Sequence, residues 1–344
     1  MDMRRWFKPI WFDSLGAKSS CTLIETRDIS ILLEPGVAIM HKTYPTSEED
    51  KKRYLVEGLN KIREAGERSK VMVVSHYHHD HYLREPSFYQ DKIVFIKNPN
   101  EYININQRKR AEEFLNSLYQ VTYKPPEEKE YRKPSLPEME KQRFGEYTER
   151  KKELLRKGEQ WFNTQVERWI RYNRILEYED TIKIYFPENK TYRFGETTIR
   201  FTPPLFHGIE YSRVGWVFAT IVEYKDEKLI HTSDLCGPII EDYTSWIISE
   251  NPTYLILDGP ATYTLGYMLN KINLERAIKN TTRIIRETDV ELIIYDHHLT
   301  REPFFRRHTK EVWKSASKEK KEVLTAAEYL GETVVVEDSA RREI

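Results

Sequence analysis

The sequence predicts an α+β fold in which helices pack on β-sheets, with a charged helical insertion in the middle of the chain. Short apolar runs of strand character alternate with amphipathic helical stretches over most of the 344 residues. Between about residues 98 and 180 the chain is highly charged and favours helix, and four apolar runs outside this stretch end in side chains that bind metals. The length allows one large domain or two average ones, and residues 98–180 differ in character from the rest of the chain.

The charge balance limits the classes of partner. The 55 basic residues equal the 55 acidic ones, so the surface as a whole lacks the positive charge typical of proteins that coat nucleic acid. An even charge balance is compatible with a local basic groove, so nucleic acid is kept as a candidate substrate.

Cysteine content and the N-terminal segment indicate the compartment. The only two cysteines, Cys21 and Cys236, cannot form a disulfide framework, which favours a reducing environment. The N-terminal segment has no sustained apolar run, so we expect neither a secretion signal nor a membrane span. These observations predict a cytoplasmic protein.

The first elements are a hairpin, a helix and two strands. Residues 20–34 are predicted to form two strands around a turn, and residues 47–65 a helix with Ser47 as its N-cap. The apolar runs 71–74 and 93–96 are typical of buried strands.

The inserted region is predicted to hold two helices, residues 106–119 and 138–177, on either side of a break that contains prolines. In the second helix an apolar residue recurs every seven positions, at Leu155, Phe162, Trp169 and Leu176. This pattern favours a helical hairpin packed on the core, and a dedicated arm for a partner or substrate is the alternative.

Strand signals return after the insertion and alternate with helices. Strands are predicted at residues 182–186, 191–194, 197–203, 214–224, 228–232, 253–258, 291–295 and 333–337. Helices are predicted at residues 242–248, at 273–287 with Asn273 as N-cap, and at 308–330.

The segment that directly follows the strand at 71–74 carries a dense set of metal-binding side chains. His76, His78, Asp80 and His81 have the spacing His-x-His-x-Asp-His. Imidazole nitrogens and carboxylate oxygens bind zinc-like ions, and ligands two apart on an extended segment can converge on one point. The alternative, an exposed polar loop, explains this density less well, so the sequence predicts a metal site.

Three later strands also end in side chains of this kind. His207, Asp234 and the pair His297-His298 each follow a strand signal, at the position where sheet folds present functional groups. One such residue alone is usually structural, but together they predict a single site. His79 points away from its neighbours and is expected to be a packing or hydrogen-bonding residue, and the remaining histidines, His41, His231 and His308, are expected to be structural.

The stretches SHYHHDH, TPPLFHG, TSDLCGP, LDGPATYTLGY and DHHLTR carry a family resemblance. In this order they resemble the metallo-β-lactamase-fold hydrolase superfamily, and more narrowly an uncharacterised archaeal branch of it. The resemblance implies a single domain, residues 1–344, that forms an α+β four-layer αβ/βα sandwich, within which residues 98–180 are an insertion.

The resemblance also implies two divalent metal ions, with Zn²⁺ expected and Mn²⁺ or Fe²⁺ as alternatives. It places His76, His78 and His207 on one ion, Asp80, His81 and His297 on the other, and Asp234 between them. His298 is the alternative to His297 as final ligand. Glu34, where the family usually has Asp, and Asp258 are expected to orient ligand imidazoles.

The expected chemistry is hydrolysis by a hydroxide that bridges the two ions. Asp80, besides its ligand role, and His298 are the predicted catalytic residues, with His298 as general acid for the leaving group. Arg301 is predicted to hold an anionic group of the substrate, and an exposed arginine that leads a helix is the alternative.

A phosphodiester, in nucleic acid or a nucleotide, is the predicted substrate. The alternatives are an ester, thioester or lactone hydrolase of the same fold, a mono-iron dioxygenase, and an inactive scaffold that binds RNA or partners. A membrane partner is not expected, and a homo-oligomer stays open.

Overall fold

The computed structural model describes residues 5–342, and these form two seven-stranded β-sheets with helices on their outer faces. The strands are β1 (Phe7–Phe12), β2 (Ser20–Glu25), β3 (Ser30–Leu33), β4 (Val71–Val74), β5 (Ile93–Ile96), β6 (Tyr123–Lys124), β7 (Arg174–Ile175), β8 (Tyr178–Glu179), β9 (Lys183–Tyr185), β10 (Thr191–Phe194), β11 (Thr197–Phe201), β12 (Leu205–Phe206), β13 (Trp216–Val217), β14 (Thr220–Tyr224), β15 (Glu227–His231), β16 (Tyr254–Asp258), β17 (Leu292–Asp296) and β18 (Glu322–Leu324).

The helices lie between these strands and after the last of them. They are α1 (Glu48–Arg68), α2 (Ile105–Leu118), α3 (Pro137–Glu140), α4 (Thr148–Trp169), α5 (Glu241–Glu250), α6 (Lys271–Glu287), α7 (Phe305–His308), α8 (Lys310–Glu319), α9 (Ala326–Tyr329) and α10 (Val335–Arg342). Within residues 5–342, none of these helices combines the length and the apolar character that a membrane crossing would need.

Each sheet contains a block of parallel strands. The first sheet has the order β1-β2-β3-β4-β5-β9-β8, in which β3, β4, β5 and β9 run parallel. The second has the order β10-β11-β14-β15-β16-β17-β18, in which β15 to β18 run parallel. Parallel strands end at the same edge of a sheet, so the residues that follow β4, β15, β16 and β17 lie at carboxyl edges where sites form.

Alternate residues of the strands face two different layers. In β4, Val71 and Val73 belong to the core between the sheets, together with Ile256 and Ile294 of the second sheet. Met72 and Val74 point the opposite way and belong to the outer core that contains Ile62 of α1. The layer order is helix, sheet, sheet, helix, which confirms the predicted α+β four-layer αβ/βα sandwich.

Local signals predicted the start of one helix correctly and of another incorrectly. The Ser47 hydroxyl accepts a hydrogen bond from the Asp50 amide at 3.0 Å and caps α1, as expected. For α6 the predicted cap at Asn273 is wrong. The Asn270 side chain accepts from the Asn273 amide at 2.8 Å, so the cap lies three residues earlier than expected and α6 begins at Lys271.

The two ends of the chain differ from the prediction. Strand β1 was not predicted, because Pro9, which lies at a β-bulge, weakens the strand signal of an otherwise buried segment. The helix predicted over 308–330 is interrupted at Lys320, which has a φ of 55°, and β18 follows. The strand predicted at 333–337 is wrong, because tertiary packing directs Val335 and Val336 into α10 instead.

The chain leaves the first sheet after β5, enters the predicted insertion, residues 98–180, and returns to the sheet at β8, which pairs antiparallel with β9. Strand β9 in turn pairs in parallel with β5. The first helix of the insertion, α2, lies close to the predicted range. The second predicted helix is too long, because α4 ends at Trp169 and the chain then pairs β7 with β6. Phe162 and Trp169 are buried as the seven-residue pattern indicates, whereas Leu176 lies beyond the helix.

Candidate metal centre

Four chain segments deliver histidine and aspartate side chains to one place. His76, His78, Asp80 and His81 follow β4 in the first sheet. His207 follows β12, Asp234 follows β15, and His297 follows β17 of the second sheet. The structure thus gathers all seven predicted ligands at neighbouring strand ends, and several groups among them are close enough to hold a metal ion.

The first group consists of His76, His78, His207 and Asp234. The Oδ2 atom of Asp234 lies 3.3 Å from His76 Nε2 and 3.0 Å from His207 Nε2. The Nδ1 atom of His78 lies 2.9 Å from His76 Nε2. Three imidazole nitrogens and one carboxylate oxygen therefore face a common centre.

The second group consists of Asp80, His81, His297 and the other oxygen of Asp234. The Oδ1 atom of Asp234 lies 3.3 Å from His81 Nε2 and 3.3 Å from His297 Nε2. Oxygen atoms of Asp80 lie 4.0 Å from each of the same two nitrogens. Asp234 thus stands between the two groups, with one oxygen toward each.

The donor atoms suit a zinc-like ion. Around a tetrahedral ion with ligands at about 2.0–2.1 Å, neighbouring ligand atoms lie about 3.3 Å apart, close to the spacing seen around Asp234. Four of these buried atoms have no hydrogen-bond partner within residues 5–342, namely His81 Nε2, His207 Nε2, His297 Nε2 and Asp234 Oδ1. Buried polar atoms are normally satisfied, so their orientation toward one centre indicates a cation site.

In His81 and His76 the ring nitrogen that faces away from the centre, Nδ1, contacts a residue that follows a strand of the first sheet. His81 Nδ1 donates to Glu34 Oε2 at 2.5 Å, and the other oxygen of Glu34 accepts from the Ser75 amide at 3.0 Å. His76 Nδ1 lies 3.0 Å from the Ser75 hydroxyl. Each contact leaves Nε2 as the free nitrogen, which is how outer hydrogen bonds orient metal-binding histidines.

A residue that the sequence pattern did not indicate holds His297. His297 Nδ1 donates to Asp13 Oδ1 at 3.0 Å and to the Ser19 carbonyl at 3.1 Å. Asp13 is fully buried in the turn after β1 and also forms a buried ion pair with Arg301. A single aspartate after an aromatic strand carries no local signal of this role.

Asp258 lies against His298. His298 Nδ1 donates to Asp258 Oδ1 at 2.9 Å, and the other oxygen of Asp258 accepts from the Cys236 amide at 2.8 Å. The ring of His298 lies 4.5 Å from the ring of His297 and 5.9 Å from that of His207, measured between centroids. His298 therefore borders both groups while His297 faces the second one.

Arg301 is buried, so the alternative of an exposed, helix-leading arginine is wrong. Only 4% of its surface is exposed. Its Nε pairs with Asp13, one Nη lies 3.3 Å from Asp80 Oδ2, and the other donates to the Tyr263 hydroxyl at 3.3 Å. The guanidinium thus lies between two carboxylates, that of Asp80 in the second group and that of Asp13, which holds His297.

No family model matches the chain. A UPF0282 protein of Methanocaldococcus jannaschii is 32% identical over 349 residues, which span 98% of this chain and 95% of the relative. The chain belongs to the UPF0282 family. Another UPF0282 protein, from Methanopyrus kandleri, is 29% identical over 351 residues, with 98% of this chain and 97% of that one covered.

Solved structures similar to this UPF0282 protein include the metallo-β-lactamase-fold protein YhfI of Bacillus subtilis. It is 13% identical with a TM-score of 0.46, and the match covers 93% of this chain and 94% of that one. The short form of human tRNase Z is 10% identical with a TM-score of 0.38, over 85% of this chain and 91% of that one. The archaeal relatives confirm the expected archaeal branch, and the layer order and the clustered His and Asp side chains agree with the expected fold.

The carboxylates of this UPF0282 site attract positive charge. Burial lowers the pKa of His81, but the charges of Asp234 and Glu34 raise it to about 10. Burial likewise lowers the pKa of His297, while Asp13 and Asp234 raise it well above its ordinary value. A divalent ion bound at this place would supply the positive charge that protons give to the two imidazoles.

Several backbone positions at the site are strained. Glu34, Ser233, Cys236 and His297 all have positive φ, at 50°, 53°, 53° and 57°. This region of backbone space is unfavourable for residues other than glycine and clusters at functional sites. At His297 it is stabilised by Asp296, whose buried carboxylate accepts from the His297 amide at 2.7 Å and the Thr300 hydroxyl at 2.8 Å.

Proposed function

We propose that this UPF0282 protein is a dinuclear metal-dependent hydrolase whose substrate is a phosphodiester in nucleic acid or a nucleotide. The observation that carries the proposal is the position of Asp234. One of its carboxylate oxygens faces His76 and His207, and the other faces His81 and His297. A carboxylate shared in this way is suited to bridge two ions.

His76, His78 and His207 would hold one ion, and Asp80, His81 and His297 the other. The His/Asp donor set suits Zn²⁺, with Mn²⁺ or Fe²⁺ as alternatives. When bound, two such ions supply Lewis acidity and a nucleophilic oxygen at neutral pH, so the chain itself needs no nucleophilic side chain.

Residues of the chain position the metal ligands and supply the proton that the leaving group takes up. Glu34 and Asp13 fix the imidazoles of His81 and His297, so that Nε2 of each stays directed at the centre. Asp258 holds Nδ1 of His298, which leaves Nε2 of that ring free to protonate the leaving group. Arg301 holds the Asp80 carboxylate through a contact to its Oδ2 atom.

The choice of a phosphodiester is supported by the DHHLTR segment, which resembles the His-x-x-x-Arg ending of transfer-RNA-processing nucleases of this fold. An ester, thioester or lactone is the competing substrate class. Both classes can use the same two-ion chemistry, so the substrate has to be decided by turnover.

The test is a substrate screen on metal-loaded protein with bis(4-nitrophenyl) phosphate beside a lactone and a thioester. We expect turnover of the phosphodiester and its loss in His78→Ala and Asp234→Ala, whereas His79→Ala, an exposed neighbour of the motif, keeps the wild-type rate. Activity on the lactone or thioester alone would overturn the substrate. Phosphodiester turnover that survives both substitutions would overturn the two-ion mechanism, and an iron-dependent oxygen uptake would assign the protein to the dioxygenases instead.

A further inference from the structure

The cation expected to receive the substrate, Arg301, is already neutralised. Its guanidinium pairs with Asp13 and Asp80, and it is almost completely buried. A guanidinium held by two carboxylates has few free donors for an incoming anion. Arg301 is therefore poorly placed to contact an anionic substrate in addition.

Lys18 lies beside this cluster and has no such partner. Its backbone is fixed, since its amide donates to the Ala38 carbonyl at 2.8 Å and the Ala38 amide returns a bond to the Lys18 carbonyl at 2.9 Å. The next residue, Ser19, contacts both Asp13 and His297 through its backbone. The base of the Lys18 side chain is therefore held at the second metal group.

The ammonium of Lys18 is partly buried and unpaired. It interacts electrostatically with Arg301, Asp80 and Asp13, yet no carboxylate within residues 5–342 lies at ion-pair distance from it. Burial, followed by the charge of Arg301, lowers the pKa of Lys18. A half-buried cation without a counter-ion is costly unless an anion joins it.

Two aromatic rings border the same position. His41 Nε2 donates to the Arg301 carbonyl at 3.2 Å, and the His41 ring stacks on Tyr263 with centroids 5.0 Å apart and planes inclined by 12°. The Tyr263 hydroxyl accepts from Arg301. The charge of Lys18 acts on His41 as well as on Asp80. We call Lys18, His41 and Tyr263 the anion rim.

We propose that Lys18, on the anion rim, binds a phosphoryl oxygen of the substrate. This inference rests on the proposed function, because it assigns the anionic part of the same substrate. The ammonium supplies the charge-assisted hydrogen bond that Arg301 cannot offer, and the fixed backbone of Lys18 and Ser19 places it beside the second metal group. Arg301 is in turn a positioning residue for Asp80.

The role of Lys18 can be tested without turnover. Titration calorimetry measures the binding of inorganic phosphate to the metal-loaded protein. Lys18→Met should weaken phosphate binding about tenfold, the loss expected for one charge-assisted hydrogen bond at a partly exposed site. Lys18→Arg should stay within about threefold of wild type, because it keeps the charge. Lys8→Met, at an exposed position of β1, is the matched control and should bind as wild type. Metal content has to be equal in all four proteins.

Substrate kinetics complete the test. In Lys18→Met the KM for bis(4-nitrophenyl) phosphate should rise, whereas the KM for neutral 4-nitrophenyl acetate should not change. Phosphate binding that does not depend on Lys18, or an equal loss for the neutral ester, would overturn the anion rim. If phosphate binding depends on Lys18 but no phosphodiester is cleaved, the rim stands and the proposed hydrolase falls.

Discussion

His297 and Asp13 are separated by 284 positions in the chain, yet His297 Nδ1 lies 3.0 Å from Asp13 Oδ1 in a fully buried contact. The contact joins the turn after β1 to the residue that follows β17. It fixes which nitrogen of His297 faces the metal centre, and the same carboxylate neutralises Arg301. Asp13 therefore supports two residues of the second metal group at once.

Asp13→Asn is expected to lower the affinity for the second ion by about 10-fold to 100-fold, the usual effect of removing an outer partner of a ligand. The reason is that His297 loses its charged acceptor and Arg301 loses one of its two carboxylate partners, the other being Asp80. The measurement is a zinc titration against a chromophoric chelator. Asp226→Asn, in an exposed turn, is the control and should titrate as wild type. Equal affinities in Asp13→Asn and wild type would remove Asp13 from the site.

His298→Asn should slow the cleavage of phosphodiesters with an alkoxide leaving group by about 10²-fold to 10⁴-fold, the range for loss of a general acid. Cleavage of a nitrophenyl ester should be much less affected, because nitrophenolate leaves without protonation. The comparison of the two rates is the measurement. A His298→Asn protein that loses both reactions equally, together with one ion, would instead make His298 the final metal ligand.

The insertion is expected to be a rigid part of the site. Lys151 Nζ of α4 lies 2.6 Å from Glu210 Oε2, three residues after the ligand His207, and Arg276 of α6 pairs with the same buried carboxylate. On its other side, Gln107 Nε2 of α2 donates to the Val214 carbonyl at 3.0 Å. The loop that carries His207 is thus held at two points by the insertion.

Lys151→Met should therefore lower the free energy of unfolding by about 1–3 kcal/mol, because Glu210 keeps Arg276 but loses one of two buried partners. Urea denaturation gives this value. Lys152→Met, whose side chain is 67% exposed, is the neighbouring control and should change stability by less than about 0.5 kcal/mol. Indistinguishable values for the two variants would argue that the insertion is a separate, loosely attached arm.

Glu250 should contribute to stability only above acidic pH. Hydrogen bonds from Arg200 and Lys228, against the effect of burial, lower its pKa from 4.5 to about 2. Because the folded pKa is depressed, the contribution is complete above about pH 4.5 and is lost as the pH falls toward 2. Relative to Glu250→Gln, wild type should be more stable by about 1 kcal/mol at pH 7 and by nothing near pH 2. A difference that stays constant over this range would contradict the assignment.

The sequence predicted those parts of the molecule that have a local signal. The run Val71–Val74 and the His-x-His-x-Asp-His spacing after it indicate a strand that ends in ligands, and both properties depend on near neighbours in the chain. The later ligands were predictable for the same reason, since each follows a strand signal.

The remaining features depend on contacts between distant segments. Asp13 and Lys18 meet the site only because β1 and β2 lie beside it, and no local pattern in the sequence distinguishes these two residues from the charged residues of the surface. The C-terminal valines have strong strand propensity, yet they form α10 because packing decides between the two states. Long-range packing, which is not encoded in any window of the sequence, accounts for these differences.

Metal content per chain, measured by elemental analysis, tests the central claim most directly. The shared position of Asp234 predicts about two divalent ions per chain in the wild-type protein, about one in His78→Ala and in His297→Ala, and fewer than one in Asp234→Ala. A wild-type protein that holds one ion or none after loading, or an Asp234→Ala protein that keeps two, would contradict the account.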